Sequence, residues 1–140
     1  MKTHRKSAHL LAAIVVLVVL TVPLVYAQPS VNPGQPTPEQ VDYQMGLSFQ
    51  SHGNDDLAIN EFDAAIRLQP TLVEAYVARA DSYMALKDYD LAIADYTEAL
   101  KLKSGDDLVY AKRGFAFAAR GDLRDAQHDF EHVAKAEFLF

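Results

Sequence analysis

Small, aromatic and aliphatic residues return along this chain with a period of 34 positions. Gly46, Ala80 and Gly114 mark the interval, each followed three places on by an aromatic: Phe49, Tyr83 and Phe117. Twelve residues after each small residue stands an alanine (Ala58, Ala92, Ala126), and four later another aromatic (Phe62, Tyr96, Phe130). Ala65, Ala99 and Val133 complete the motif. A fixed period of this size belongs to units that cannot bury their apolar face alone and must stack on neighbours. Each unit reads as two amphipathic helices joined by a short turn.

Local signals agree with that period. Thr37-Pro38-Glu39-Gln40 has the layout of a capping box with proline at the first helical position. Thr71-Leu72-Val73-Glu74 is expected to repeat the box one period later. Asn54, Asp88 and Asp122 stand where the second helix of each unit begins, as N-cap residues. Gly53 and Gly121 precede two of them, where a left-handed backbone costs glycine little. The small residues have a packing reason, because helices about 8–10 Å apart need short side chains where their ridges cross. Gly46, Ala80 and Gly114 would meet Ala58, Ala92 and Ala126 there, with the aromatics filling the space beside them.

These residues carry a resemblance to the tetratricopeptide repeat. Counted from Glu39, Val73 and Asp107, the small residue, the two aromatics and the central alanine of that pattern are present in all three units. Departures are Asp42 where the later units have Tyr76 and Tyr110, and Met45, Arg79 and Arg113 where leucine is usual. Val133 replaces an alanine, and the closing proline survives only as Pro70. The resemblance implies an all-α, right-handed helix-turn-helix solenoid of three repeats, 39–72, 73–106 and 107–140, whose first helices line a concave face. On the second helices, Ile59/Ile93 and Ile66/Leu100 become Gln127 and Ala134 in the third unit. A more polar final helix suits a terminal repeat. Phe138-Leu139-Phe140 is an apolar end that either folds back or lies on a partner.

Residues 1–27 have a different character. Lys2, Arg5 and Lys6 precede an apolar run, Pro23 interrupts it, and Val25-Tyr26-Ala27 offers small residues to a signal peptidase. This is the layout of a secretory signal peptide, with an uncleaved N-terminal membrane anchor as the alternative. Both place the remainder outside the cytoplasm, periplasmic or secreted. Residues 28–38 hold four prolines and read as a semi-extended linker. Without the leader, ten basic residues face 19 acidic ones, a formal charge of −9. That balance repels phosphate backbones and argues against nucleic acid as a partner. The chain has no cysteine, which excludes disulfides, thiolate metal sites and cysteine nucleophiles.

No catalytic grouping stands out and no cofactor or metal is expected. His128-Asp129-Phe130-Glu131-His132 spells an inverted zinc-protease motif. Phe130, however, is the packing aromatic of its unit, which should push His128 and His132 toward the outer surface. A surface zinc site there is the minor reading. The resemblance instead directs attention to the concave face, where its inward positions fall on Tyr43, Gln44, Leu47, Val77, Asp81, Met84, Leu108, Lys112 and Phe115. Family members that hold chaperone tails use a clamp of lysine, asparagine and arginine. The matching places here are Tyr43, Leu47, Ala78, Leu108 and Lys112, so only Lys112 fits. The sequence therefore points to a non-enzymatic module binding a peptide or partner helix. The alternative is a self-associating subunit joined through its apolar C-terminus.

Overall fold

Helices of 14 or 15 residues follow directly from the repeat: nearly four turns of apolar periodicity, then a turn that breaks it. The computed structural model describes residues 34–137. Among these it has six helices and no strand: α1 Pro38–Ser51, α2 Asp55–Leu68, α3 Val73–Leu86, α4 Tyr89–Leu102, α5 Asp107–Arg120 and α6 Leu123–Glu137. They lie in one unit that begins at Pro36. Each helix packs on its neighbours in sequence, and α1 also touches α3. This is the three-unit helix-turn-helix solenoid expected from the period. Residues 1–27, read above as a signal peptide or anchor, most of the linker and Phe138-Leu139-Phe140 lie outside the described residues. No helix among the described residues is long and apolar enough to cross a membrane.

The turns inside the units repeat atom for atom. The amides of Asn54, Asp88 and Asp122 donate to the carbonyls of Phe49, Tyr83 and Phe117 at 3.0, 2.8 and 2.9 Å. Their own carbonyls then accept from Ala58, Ala92 and Ala126. Asn54 and Asp88 are N-caps as expected, but by backbone geometry, without a side-chain capping bond. The residue before each cap has positive φ: Gly53 at 72°, Lys87 at 64° and Gly121 at 103°. Lysine thus occupies in the second unit a conformation that glycine supplies in the other two.

Helix starts between units differ from expectation at one place. At α1 the Thr37 amide donates to Gln40 Oε1 at 3.0 Å, the reach-back half of the capping box. The Thr37 side chain faces the Gln40 amide in turn, so both halves of the box are in place. The second box does not form, because α3 starts at Val73 with Leu72 as N-cap. A turn intervenes: the Leu72 amide donates to the Gln69 carbonyl at 3.0 Å, and Tyr76 Oη donates to the Pro70 carbonyl at 3.2 Å. That turn displaces Thr71 by one residue from the capping position. At α5, Asp106 does cap, accepting from the Val109 amide.

The core sits where helices cross. Ala58, Phe62, Ala65, Ala80, Ala92, Tyr96 and Ala99 are buried. Gly46 and Gly114 are required at their crossings, since a Cβ on either would fall within 3.0 Å of the Phe62 or Phe130 ring. Burial of a side chain of this size contributes roughly 1.5–3 kcal/mol, so the aromatics carry much of the packing. The middle unit is the best covered. Ile93 and Leu100 are buried, Ile59 and Ile66 half-buried, and their counterparts Gln127 and Ala134 exposed. Among the described residues these positions of the third unit are left uncovered, in keeping with their more polar sequence.

Arginine stands where the repeat usually has leucine, and the structure gives the reason. Arg79 reaches both flanking second helices: it grips Asp95 of its own unit bidentately, 2.7 Å on each side, and bonds Asp63 of the preceding one. One period later Arg113 grips Asp129 at 2.8 Å on each side and donates to Thr97 Oγ1 at 3.1 Å. Arg79 also lies over the Tyr76 ring, and Arg113 over Tyr110 and Phe117. Burial works against the Arg79 charge, but the bonds to Asp95 and Asp63 outweigh it and hold the guanidinium above the usual arginine range. Each arginine is thus a staple between successive units.

Candidate binding groove

Side chains at i, i+3 or i+4 and i+7 share one face of a helix, and the first helix of every unit turns such a face inward. On α1 that face holds Tyr43, Leu47 and Gln50; on α3 it holds Val73, Glu74, Val77, Ala78 and Asp81. The start of α5 adds Leu108 and Val109, and the loop before it adds Lys103 and Asp106. Together they line one cavity of about 310 Å³. Its floor is apolar and its edge charged.

Five of the nine expected groove residues meet there: Tyr43, Leu47, Val77, Asp81 and Leu108. The other four do not line the cavity. Gln44 is exposed on α1, and Met84 packs against the core around Tyr96. Phe115 is 62% exposed further along α5, with its ring edge-on to Phe130 at 5.2 Å between centroids. Lys112 is drawn onto Asp81, with Nζ 2.5 Å from Oδ2.

A polar network fixes this surface from below. Tyr96 Oη donates to Asp81 Oδ1 at 2.5 Å, so both carboxylate oxygens of Asp81 are engaged. Gln50 Nε2 donates to the Ala78 carbonyl and to Ser82 Oγ, each at 3.0 Å, which ties α1 to α3 across the groove. Burial, reinforced by the bond to Asp81, pushes the Tyr96 hydroxyl well above the usual tyrosine range. Tyr43 is also raised, first by burial and then by the negative charges of Glu74 and Asp81. The repeat pattern alone does not reveal this network, because Tyr96 reads there as a packing aromatic.

The histidine stretch resolves differently for its two members. His128 is exposed, as expected. His132 is partly covered: its ring stacks on Tyr110 at 3.8 Å and Nδ1 lies 3.5 Å from Asp107 Oδ1, while the side chain stays 40% exposed. Among the described residues, no three His, Cys, Asp or Glu side chains gather as metal ligands.

Residues 43–107 match the family model of the tetratricopeptide repeat. With three helix pairs stacked in sequence, the domain is a tetratricopeptide-repeat solenoid. It is similar to the first repeat domain of Spaghetti (RPAP3), solved with the HSP90 peptide SRMEEVD. The two are 26% identical with a TM-score of 0.67, over 70% of this chain and 78% of that one. The second domain of human RPAP3, solved with the HSP70 peptide SGPTIEEVD, is 28% identical with a TM-score of 0.64, over 66% and 77%. MamA shares the fold at 24% identity and a TM-score of 0.69, over 72% of this chain and 55% of that one. No curated protein sequence matches the chain.

Proposed function

We propose that this domain is a non-enzymatic interaction module that holds a peptide segment or partner helix in its concave groove, outside the cytoplasm. The observation that carries the reading is the cavity to which the first helices of all three units contribute an apolar floor. Peptide binding by two similar domains supports it. A pocket of this volume with few convergent polar groups is of the size that binding sites have. Export rests on the sequence of residues 1–27. If that segment is cleaved as its layout implies, the protein purified from its host begins at Gln28.

The test uses the host-processed protein and a panel of labelled peptides, read by fluorescence anisotropy. Leu47→Asp and Leu108→Asp should abolish binding while helicity by circular dichroism stays intact, since both line the cavity, Leu47 only half-buried and Leu108 exposed. Peptides that bind both variants as tightly as the parent would refute the groove.

One observation favours self-association as a second reading. The outer side of α6 carries a cavity of about 420 Å³ lined by Leu123, Phe130 and Ala134, with Leu123 71% exposed. Sedimentation across a concentration series decides it. A monomer whose state does not change on deletion of Phe138-Leu139-Phe140 rules it out.

A further inference from the structure

Charge decides which segment the groove can hold, and the ion pairs around it fix that charge. Lys112 is the sole match to a chaperone-tail clamp, and it is spent on Asp81 at 2.5 Å. Lys103, at the edge of the cavity, is answered by Asp106 at 3.3 Å. Glu74 lines the same cavity, is exposed, and among the described residues has no ion-pair partner. It lies in the first turn of α3, where the helix dipole offsets only about half a charge. Pairing therefore leaves one carboxylate over an apolar floor of Tyr43, Leu47, Val77 and Leu108. The whole chain is acidic too, with a formal charge of −6.

We propose that the groove is selective for a basic, aliphatic peptide segment, with a lysine or arginine of the partner set against Glu74 and its apolar neighbours on that floor. The inference rests on the groove reading and adds the chemistry of the occupant. Like-charge juxtaposition gives specificity by exclusion. An acidic tail such as the SRMEEVD or SGPTIEEVD held by the similar domains would meet Glu74 with Lys103 of the cavity edge and the nearby Lys112 both already engaged.

Three synthetic peptides with one aliphatic frame test it, carrying Lys, Gln or Glu at two central positions. Anisotropy is measured on the host-processed protein in low and high salt. The Lys peptide should bind about fivefold tighter than the Gln peptide, the contribution of one rim ion pair near 1 kcal/mol. The Glu peptide should bind weakest, and the spread should narrow in high salt as screening shortens its range. In the Glu74→Gln protein, Lys and Gln peptides should bind alike. Equal binding of Lys and Gln peptides to the parent, abolished by Leu47→Asp, would overturn the charge selectivity and leave the groove standing. A Lys preference that survives both Glu74→Gln and Leu47→Asp would overturn it as well, by assigning the effect to the acidic surface at large. If no peptide binds, the groove reading falls together with the inference.

Discussion

Asp129 is 1% exposed, and its charge is tolerated only because Arg113 grips both oxygens. Removing one partner of a buried pair leaves an uncompensated charge and costs about 3–5 kcal/mol, far more than a surface pair returns. Arg113→Met should therefore lower stability in urea by about 3 kcal/mol. Lys101→Met, which breaks the exposed pair with Glu98, should stay within about 0.5 kcal/mol. Tyr96 makes a pH prediction. Its hydroxyl is raised by burial and by its bond to Asp81, so the folded state keeps the proton where the unfolded chain releases it. Its stabilising contribution is complete below the unfolded tyrosine value of about 10 and declines as pH rises above that. Tyr43 and Tyr83 act in the same direction. Urea unfolding between pH 9 and 11 should show stability falling with pH, and falling less in Tyr96→Phe. That variant also gives up a bond to a charged acceptor, about 1.5–3 kcal/mol at neutral pH.

At the scale of helices and turns, much was legible in the sequence because the repeat states packing requirements directly. A glycine under an aromatic ring, an alanine at a crossing and an asparagine or aspartate at a turn each have one structural reading. What escaped was set by geometry that the period does not encode. The Pro70 turn moves the start of α3 past Thr71, and a capping box is lost although its letters are present. Arg79 and Arg113 read as departures until their partners, sixteen residues away on the second helices, are seen. Five groove residues follow from helical phase. Phe115 and Met84 share that phase, but Phe115 lies further along α5 with its ring against Phe130, and Met84 packs against the core. Lys87 offers a test at this scale. A β-carbon in the left-handed region costs about 1–2 kcal/mol, partly offset by the greater freedom of an unfolded glycine. Lys87→Gly should raise stability by up to about 1 kcal/mol in thermal unfolding, bringing this turn into line with Gly53 and Gly121.

For the molecule as a whole, stability in a linear array is a sum of units and of the seams between them. The two seams carry different polar contacts. Across the first, Arg79 meets the carboxylate of Asp63; across the second, Arg113 meets the hydroxyl of Thr97, while Lys112 pairs with Asp81 and Arg120 with Asp90. The outer face of α6 has no covering helix among the described residues, and Leu123 stands open on it. Native-state hydrogen exchange should therefore report graded protection: highest in α3 and α4, and lowest in α6, which opens before the rest. Uniform protection across all six helices would show that the units open together. The open face of α6 also makes the array directional. The groove cavity draws mainly on α1 and α3, away from α6, so its walls should keep their spacing while the far end opens. Replacing Thr97 by aspartate would give Arg113 a carboxylate on each side, as Arg79 has, so that an opening of α6 would no longer leave its guanidinium without one.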